Sequence, residues 1–247
     1  MKDELLTVRS LNKAYPGFRL ENVSFSVPAR CIMGFIGRNG AGKTTTLKSI
    51  LNLVHKESGE IRFFGLDLKE HEQEIKCRIG YAGGAVDYYK KKKIREIVDV
   101  TKSFYPNWSE EAYQKYSRAF DLDDSKTPDQ LSDGMKVKLN LTLALSHQAE
   151  FLILDEPTSG LDPVSRNELL DIFEALKEKG VSILFSTHIT SDLDKCADCI
   201  TYIRKGRIMA TGRMDEYIES CRQAGIGNNL EEIMLHFEKE DFHEKFA

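Results

Sequence analysis

Apolar and polar side chains alternate near the start of the chain. Val23, Phe25 and Val27 are separated by serines, which is the period-two pattern of a half-buried strand. A short apolar run from Arg30 to Ile36 leads into a glycine-rich turn, and residues 44–54 then carry apolar side chains at helical spacing. The pattern predicts antiparallel strands, followed by a buried strand, a turn and a helix.

The middle of the chain has helical periodicity. Apolar residues recur at helical intervals from Ile94 to Phe104, and residues 133–148 repeat the pattern. Between them, Ser109 is placed to cap a helix whose first turn is acidic, as the helix dipole favours. We interpret the aromatic stripe from Tyr113 to Phe120 as core rather than as a ligand platform.

Strand and helix patterns alternate after residue 150. The strands are predicted at Phe151–Leu154 and Val181–Ser186, with a helix at Ser165–Lys179 between them. Such alternation implies a mostly parallel sheet covered on both faces, hence an α/β fold. The predicted division of this single 247-residue domain is an α/β core with an antiparallel β subdomain at 1–84 and 149–215, an inserted α-helical subdomain at 85–148, and a C-terminal helical extension at 216–247.

Charge and composition narrow the function classes. The chain has 35 Lys and Arg against 39 Asp and Glu, a net charge of −4, and a polyanion binder would normally carry a basic surplus. We therefore expect no nucleic-acid partner. No run approaches 18 apolar residues, so a membrane role would need a partner to supply the span. The acidic start, Met1 to Glu4, indicates no secretory signal.

The chain contains an odd number of scattered cysteines, which is typical of free thiols in a reducing compartment. Cys196 and Cys199 have the spacing of metal ligands but lack a second pair or a nearby histidine cluster. We interpret them as small apolar residues. The cysteines are Cys31, Cys77, Cys196, Cys199 and Cys221.

A phosphate-binding loop pattern, G-x-x-x-x-G-K-[ST], follows the predicted strand that ends at Ile36. Its glycines allow successive backbone N–H groups to point inward and form an anion nest, and the following helix adds its positive dipole end. Lys43 can reach the β- and γ-phosphates, and the Thr44 hydroxyl can ligate Mg²⁺. The loop residues are Gly37, Arg38, Asn39, Gly40, Ala41, Gly42, Lys43 and Thr44.

Two acids end the strand at Phe151–Leu154, and in a parallel sheet they lie at the edge where ligands bind. Asp155 is suited to hold the magnesium through water, and Glu156 is suited to orient and deprotonate an attacking water. His188 follows the strand at Val181–Ser186, which places an imidazole at the same edge.

Four motifs occur in a fixed order: GRNGAGKTT at Gly37–Thr45, LSDGM at Leu131–Met135, LDEPTSGLD at Leu154–Asp162, and His188. On these motifs the chain resembles the ATP-hydrolysing subunits of ABC transporters, over residues 3–215. Within that family it is similar to the subunits of bacterial ABC-2-type exporters of antibiotics or peptides. The resemblance implies a RecA-like P-loop NTPase fold that uses ATP and Mg²⁺.

The resemblance also implies a head-to-tail dimer with two ATP molecules between protomers. Ser132 and Gly134 match the signature that contacts the γ-phosphate on the opposite chain, Asp162 matches a loop at the dimer interface, and Tyr15 matches the aromatic residue that stacks on adenine. His188 matches the switch residue that supports the attacking water. The assigned nucleotide-binding set is Tyr15, Gly37, Arg38, Asn39, Gly40, Ala41, Gly42, Lys43, Thr44, Thr45, Ser132, Gly134 and Asp162; the catalytic set is Glu156 and His188; the metal set is Thr44 and Asp155.

The sequence departs from the family pattern at two motifs. Asp133 and Met135 stand where the signature has Gly and Gln, and Asp133 is harmless if it caps a helix but unfavourable if it points at a phosphate. Gly84 stands where a glutamine is expected, which leaves its metal contact to water or to a neighbour such as Asp87. The run Lys90–Lys93 is interpreted as a solvated helix start, the alternative being contact with a membrane subunit or headgroups.

We therefore expect an ATPase dimer at the cytoplasmic face of the cell membrane, bound to separate multi-spanning subunits. A homodimer is the simple case, and a heterodimer with another ATPase subunit is open. The alternatives are a non-transport ABC ATPase and a weakly hydrolysing regulator. A P-loop kinase would not need the motif at Leu131–Met135.

Overall fold

The computed structural model describes residues 4–83 and 89–246, with the backbone alone for residues 239–246. Its strands form a four-stranded sheet and a six-stranded sheet. The strands are β1 (Glu4–Tyr15), β2 (Phe18–Pro28), β3 (Ile32–Ile36), β4 (Ser58–Phe63), β5 (Leu66–Asp67), β6 (Ile79–Gly83), β7 (Phe151–Asp155), β8 (Ser182–Thr187), β9 (Cys199–Arg204) and β10 (Arg207–Arg213).

Helices pack around these sheets. They are α1 (Lys43–Ile50), α2 (Glu72–Arg78), α3 (Ile94–Phe104), α4 (Glu110–Ala119), α5 (Asp133–Ser146), α6 (Pro163–Glu178), α7 (Thr190–Cys196), α8 (Met214–Gln223) and α9 (Leu230–Phe246), with a 3₁₀ turn at Pro128–Gln130. Among residues 4–83 and 89–246, no helix is both long and apolar enough to cross a bilayer.

The six-stranded sheet confirms the predicted α/β fold. Its order is β10-β9-β3-β8-β7-β6, and the neighbours from β9 to β6 are parallel, while β10 is antiparallel to β9. Strands β3, β7 and β8 are buried along their whole length, as expected for strands covered on both faces. Their carboxyl ends meet at one edge of the sheet.

The four-stranded sheet is antiparallel, with the order β2-β1-β4-β5. Val23, Phe25 and Val27 are buried, as the alternating pattern predicts. The ring of Phe25 lies 5.3 Å from that of Phe35, centroid to centroid. One hydrophobic core therefore joins the two sheets.

Helices α3 and α5 and the beginning of α4 enclose a smaller hydrophobic cluster that includes Ile94, Tyr113 and Leu139. Ser109 caps α4 as predicted, because its Oγ accepts a hydrogen bond from the amide of Ala112. This cluster supports a separate helical subdomain, although its predicted boundaries remain predictions.

Helix α1 ends at Ile50, one turn before the predicted end at residue 54. Asn52 has a left-handed backbone with a φ of 56°, which interrupts the helix. The amide of Leu53 then bonds back to the carbonyl of Lys48, and the Leu53 side chain is exposed. The apolar spacing continues beyond the helix because Leu51 is buried, and Val54 half-buried, in the turn that follows it.

A turn between β9 and β10 joins both sheets to the glycine-rich loop. The carbonyl of Gly206 accepts a hydrogen bond from the amide of Glu21, and the amide of Gly206 donates to the carbonyl of Ala41. A side chain is excluded here, because a Cβ on Gly206 would lie 1.8 Å from the carbonyl oxygen of Arg19, and φ is 76°.

We expect Gly206→Ala to lower the free energy of unfolding by about 2 kcal/mol, because the added Cβ must displace backbone. The matched control is Gly225→Ala, which has a φ of 69° but no atom within 4 Å of the new Cβ. Thermal melting of both variants separates the two effects. Equal melting temperatures would show that the turn tolerates the methyl group.

Candidate functional site

Residues 37–42 form a tight loop between β3 and α1. The amide of Ala41 donates to the carbonyl of Arg38, and Gly40 and Gly42 have φ values of 81° and 112°. A Cβ on Gly37 would lie 2.4 Å from the carbonyl oxygen of Ile203. The glycines of the pattern are therefore required by backbone angle and by close packing, and the loop delivers the unpaired amides of the first turn of α1 to one point.

The Lys43 side chain is buried, with 5% of its surface exposed, and folds back over this loop. Its ammonium donates to the carbonyl of Gly37 at 2.6 Å and to that of Arg38 at 3.3 Å. It also forms an ion pair with Oε1 of Glu156 at 3.0 Å. A buried cation of this kind is stable only with such acceptors around it.

The strand end at β7 is fixed by Ser186 of the neighbouring strand. The Ser186 hydroxyl donates to Oδ1 of Asp155 at 2.6 Å and accepts from the amide of Glu156 at 2.9 Å. Asp155 is buried, whereas Glu156 is half-buried and has a left-handed φ of 53°. One serine therefore orients both predicted acids.

His188 follows β8 and contacts the other oxygen of Glu156, with Nδ1 2.8 Å from Oε2. The Glu156 carboxylate is thus held between the Lys43 ammonium and the His188 imidazole. The structure brings together these three predicted residues, which come from three neighbouring parallel strand ends.

A cavity of about 580 Å³ opens over this group. Its lining includes Gly40, Lys43, Glu156 and His188, together with an aromatic side chain, Phe18, that the sequence analysis did not select. The remaining lining residues are Gly17, Arg38, Asn39, Gly42, Thr44, Thr45 and Ser159.

Tyr15 lies across the β1–β2 turn from Phe18, its pairing partner. The Tyr15 side chain is exposed, and the Lys13 ammonium lies 4.9 Å from the centroid of its ring. Of the pair, Phe18 lines the cavity. The adenine-stacking role of Tyr15 stays a prediction.

Thr44 and Asp155 supply the oxygen ligands that Mg²⁺ prefers. Thr44 lines the cavity, and Asp155 lines a neighbouring cavity that shares Glu156 and Ser159 with it. The described residues contain no cluster of three His, Cys, Asp or Glu that could hold a metal by itself. Mg²⁺ is commonly held by one or two protein oxygens together with substrate phosphates and water, so it does not require such a cluster.

The LSDGM segment begins helix α5. Ser132 is the N-cap residue, and its Oγ accepts from the amide of Met135 at 3.3 Å. Asp133 forms an ion pair with Lys136 at 2.8 Å, within the first turn of the same helix. The charge of Asp133 is thus matched by Lys136 and by the helix dipole.

Ser132 and Gly134 are absent from the described residues that line the cavity of their own chain. Gly134 instead faces the start of α6, where a Cβ would lie 3.7 Å from Leu161 in the preceding loop and 3.8 Å from Ser165 in the first turn. Asp162 caps α6, and hydrogen bonds from Ser165 and Val164 lower the pKa of its carboxyl group. Gly84 and Asp87 lie outside the described residues.

The C-terminal helix also reaches the loop. Glu238 of α9 forms an ion pair with Arg38 at 3.1 Å and accepts from the hydroxyl of Tyr202 at 3.2 Å. The sequence analysis did not predict this contact, because no local pattern links residues 200 positions apart.

The sequence analysis also did not select Ser186. Its signal is visible in the sequence, because Ser186 is a polar residue near the end of an apolar strand.

Comparison with known proteins identifies the family of this chain. A family model described as "ABC transporter" matches residues 20–159. The chain is 32% identical over 209 residues to the bacitracin transport ATP-binding protein BcrA of Bacillus licheniformis, covering 83% of this chain and 68% of that one. It is 34% identical over 215 residues to the lantibiotic transport ATP-binding protein SrtF of Streptococcus pyogenes, covering 85% and 92%.

Among solved structures, an ATP-binding subunit of an ABC transporter superposes with a TM-score of 0.82 at 31% identity. The match covers 94% of this chain and 98% of that one. The chain therefore belongs to the ABC transporter family, as an ATP-binding and ATP-hydrolysing subunit.

Proposed function

We propose that this subunit drives an ABC-2-type exporter of antibiotics or peptides, and that Glu156 is the general base of its ATPase reaction. The observation that carries the catalytic part is the contact of Glu156 with both Lys43 and His188. An arriving phosphate competes with the carboxylate for the Lys43 ammonium, because both are anions in reach of the same cation.

Transfer of Lys43 to the β- and γ-phosphates releases one oxygen of Glu156 to accept the proton of an attacking water. His188 holds the other oxygen at 2.8 Å and so orients the base. Loop amides and the first turn of α1 stabilise the phosphate charge. Thr44 and Asp155 would hold Mg²⁺, which supplies further neutralisation of that charge.

A second protomer completes each site in this proposal. Ser132 presents the free amides at the start of α5, which suit an anion, yet it does not line the cavity of its own chain. A two-fold arrangement lets each α5 face the loop of the other chain. Asp162, the N-cap of α6, lies in the chain between Leu161 and Ser165, the two neighbours of Gly134 at this helix start.

The membrane subunits belong to the same proposal, which places the chain on the cytoplasmic face of the membrane. Helix α3 exposes Val100 and Phe104, which share a face because they are four residues apart. The lysine run precedes this helix, where Lys92 pairs with Glu96. We assign this apolar face and its basic border to contact with a membrane subunit.

Export of antibiotics or peptides is supported by the transport names of BcrA and SrtF. The same names disfavour a non-transport ATPase. A weakly hydrolysing regulator is disfavoured by the intact contact between Lys43 and Glu156.

We expect Glu156→Gln to keep ATP binding and to lower kcat by about 10²- to 10⁴-fold, because the amide cannot accept the proton. The measurements are steady-state ATP hydrolysis and titration with a fluorescent ATP analogue. Glu178→Gln is the matched control, since Glu178 is exposed at the end of α6. Hydrolysis by Glu156→Gln at the wild-type rate would refute the assignment of the base.

The dimer is tested by mixing two inactive variants, Lys43→Ala and Ser132→Arg. A mixed dimer contains one site with intact Lys43 on one chain and intact Ser132 on the other. Random pairing predicts that roughly a quarter of the sites are restored, since half of the dimers are mixed and each has one intact site. The measurement is ATP hydrolysis against mixing ratio.

The control mixture contains Lys48→Ala and Ser132→Arg. Lys48 is chosen because it is exposed on the same helix as Lys43. That mixture retains hydrolysis through the Lys48→Ala chains themselves. Absence of recovery in the Lys43→Ala mixture, with mixed dimers detected by crosslinking, would contradict sites shared between two copies of this chain.

We expect Phe104→Ser to lower recovery of a multi-spanning subunit from detergent-solubilised native membranes severalfold, because Phe104 is 72% exposed and loses its apolar partner surface. ATP binding by the isolated chain should not change. The control is Met209→Ser, at an exposed residue of β10. Equal recovery with both variants would remove α3 from the contact.

A further inference from the structure

A buried carboxylate connects the chain segments that carry Glu156 and His188. Asp192, in helix α7, has 1% of its surface exposed. Its Oδ2 accepts a hydrogen bond of 2.6 Å from the hydroxyl of Thr158 and a longer one of 3.5 Å from that of Thr187. Both threonines are fully buried. One carboxylate oxygen therefore joins two separate segments of the chain.

These segments carry the two residues that we assign to hydrolysis. Thr158 lies two positions after Glu156, in a turn closed by the bond from the amide of Ser159 to the carbonyl of Glu156. Thr187 immediately precedes His188. Any shift of Oδ2 is consequently passed to the backbone on both sides of the contact between Glu156 and His188.

Asp192 also faces helix α6. The Nε of Arg166 lies 3.9 Å from Oδ1 of Asp192, and neither atom makes a hydrogen bond within the described residues. Arg166 follows Asp162 by one helical turn, and its amide bonds to the Asp162 carbonyl. The charge pair thus connects Asp192 to the helix that begins at the proposed dimer interface.

Burial of a carboxylate is unfavourable unless it is well hydrogen-bonded, and an apolar residue of similar size often stabilises a core equally well. Leu193 and Cys196 in the same short helix are buried without any such need. An apolar residue at this position would not accept the hydrogen bonds from Thr158 and Thr187. The carboxylate of Asp192 therefore does what an apolar residue cannot, which is to hold the two segments together.

We propose that Asp192 is a positioning residue for ATP hydrolysis, which holds Glu156 and His188 at their mutual distance through Thr158 and Thr187. The proposal rests on the assignment of Glu156 as the base. Asp192 itself is too deeply buried behind the threonines to line the cavity. It acts on kcat and leaves the phosphate-binding loop unchanged.

Thr158→Val tests this with little change of volume, because a methyl group replaces the hydroxyl that bonds to Asp192. We expect kcat to fall at least about tenfold, since small misplacements of catalytic groups have effects of this size. The dissociation constant for ATP should stay within about twofold, because Thr158 is not among the described residues that line the cavity over Lys43. Thr158→Ser, which restores the hydroxyl, should recover most of kcat.

Asp192→Asn supplies the second half of a double-mutant cycle on the full-length chain. If Thr158 and Asp192 act through one hydrogen bond, the double variant Thr158→Val/Asp192→Asn should lose no more activity than the worse single variant. Melting temperatures of all four proteins are measured alongside kcat and ATP affinity.

A wild-type kcat in Thr158→Val would overturn the proposal, as would equal losses in Thr158→Val and Thr158→Ser. A parallel fall of kcat, ATP affinity and melting temperature would assign Asp192 a purely structural role and also overturn it. The variant Glu156→Gln distinguishes failure of the positioning role of Asp192 from failure of the base assignment. If Glu156→Gln is inactive while Thr158→Val has the wild-type kcat, only the positioning role fails. If Glu156→Gln remains active, the base assignment fails.

Discussion

The buried ammonium of Lys43 is the constraint on which this site depends. A cation with so little exposure must be surrounded by acceptors, and the structure supplies two loop carbonyls and the carboxylate of Glu156. Because carbonyls are neutral, only the carboxylate or a phosphate can balance the charge. The charge of Lys43 that suits the loop to a triphosphate therefore also keeps Glu156, the proposed base, within reach of the terminal phosphate.

Parallel strand order explains how residues so distant in sequence meet. Strand β8 lies between β3 and β7, so the loop that follows β3, the acids that end β7 and the imidazole that follows β8 emerge side by side. Ser186 on β8 bonds to Asp155 at the end of β7. Asp192 makes a second connection, because it accepts hydrogen bonds from Thr158, which follows β7, and from Thr187, which ends β8. The chemistry is thus built on strand ends, and its precision comes from hydrogen bonds between neighbouring strands.

Much of this arrangement is predictable from sequence, because its signals are local. Alternation at Val23–Val27 identifies a strand, Ser109 identifies a helix start, and the glycine spacing before Lys43 identifies the anion loop. What the sequence does not reveal is pairing: the bond from Ser186 to Asp155 depends on strand register, and the contact of Arg38 with Glu238 depends on where the last helix packs. Such contacts form only in the tertiary structure, so periodicity and motif spacing do not predict them.

The left-handed backbone at Glu156 affects which substitutions selection would favour at this position. The left-handed backbone conformation costs a residue with a side chain about 1 to 2 kcal/mol, whereas glycine would adopt it without strain. Selection for thermal robustness alone would favour deletion of the side chain, while selection for turnover retains it. At this single position the two pressures oppose each other, and the hydrogen bonds that the Glu156 amide donates to the hydroxyl and the carbonyl of Ser186 stabilise the strained backbone.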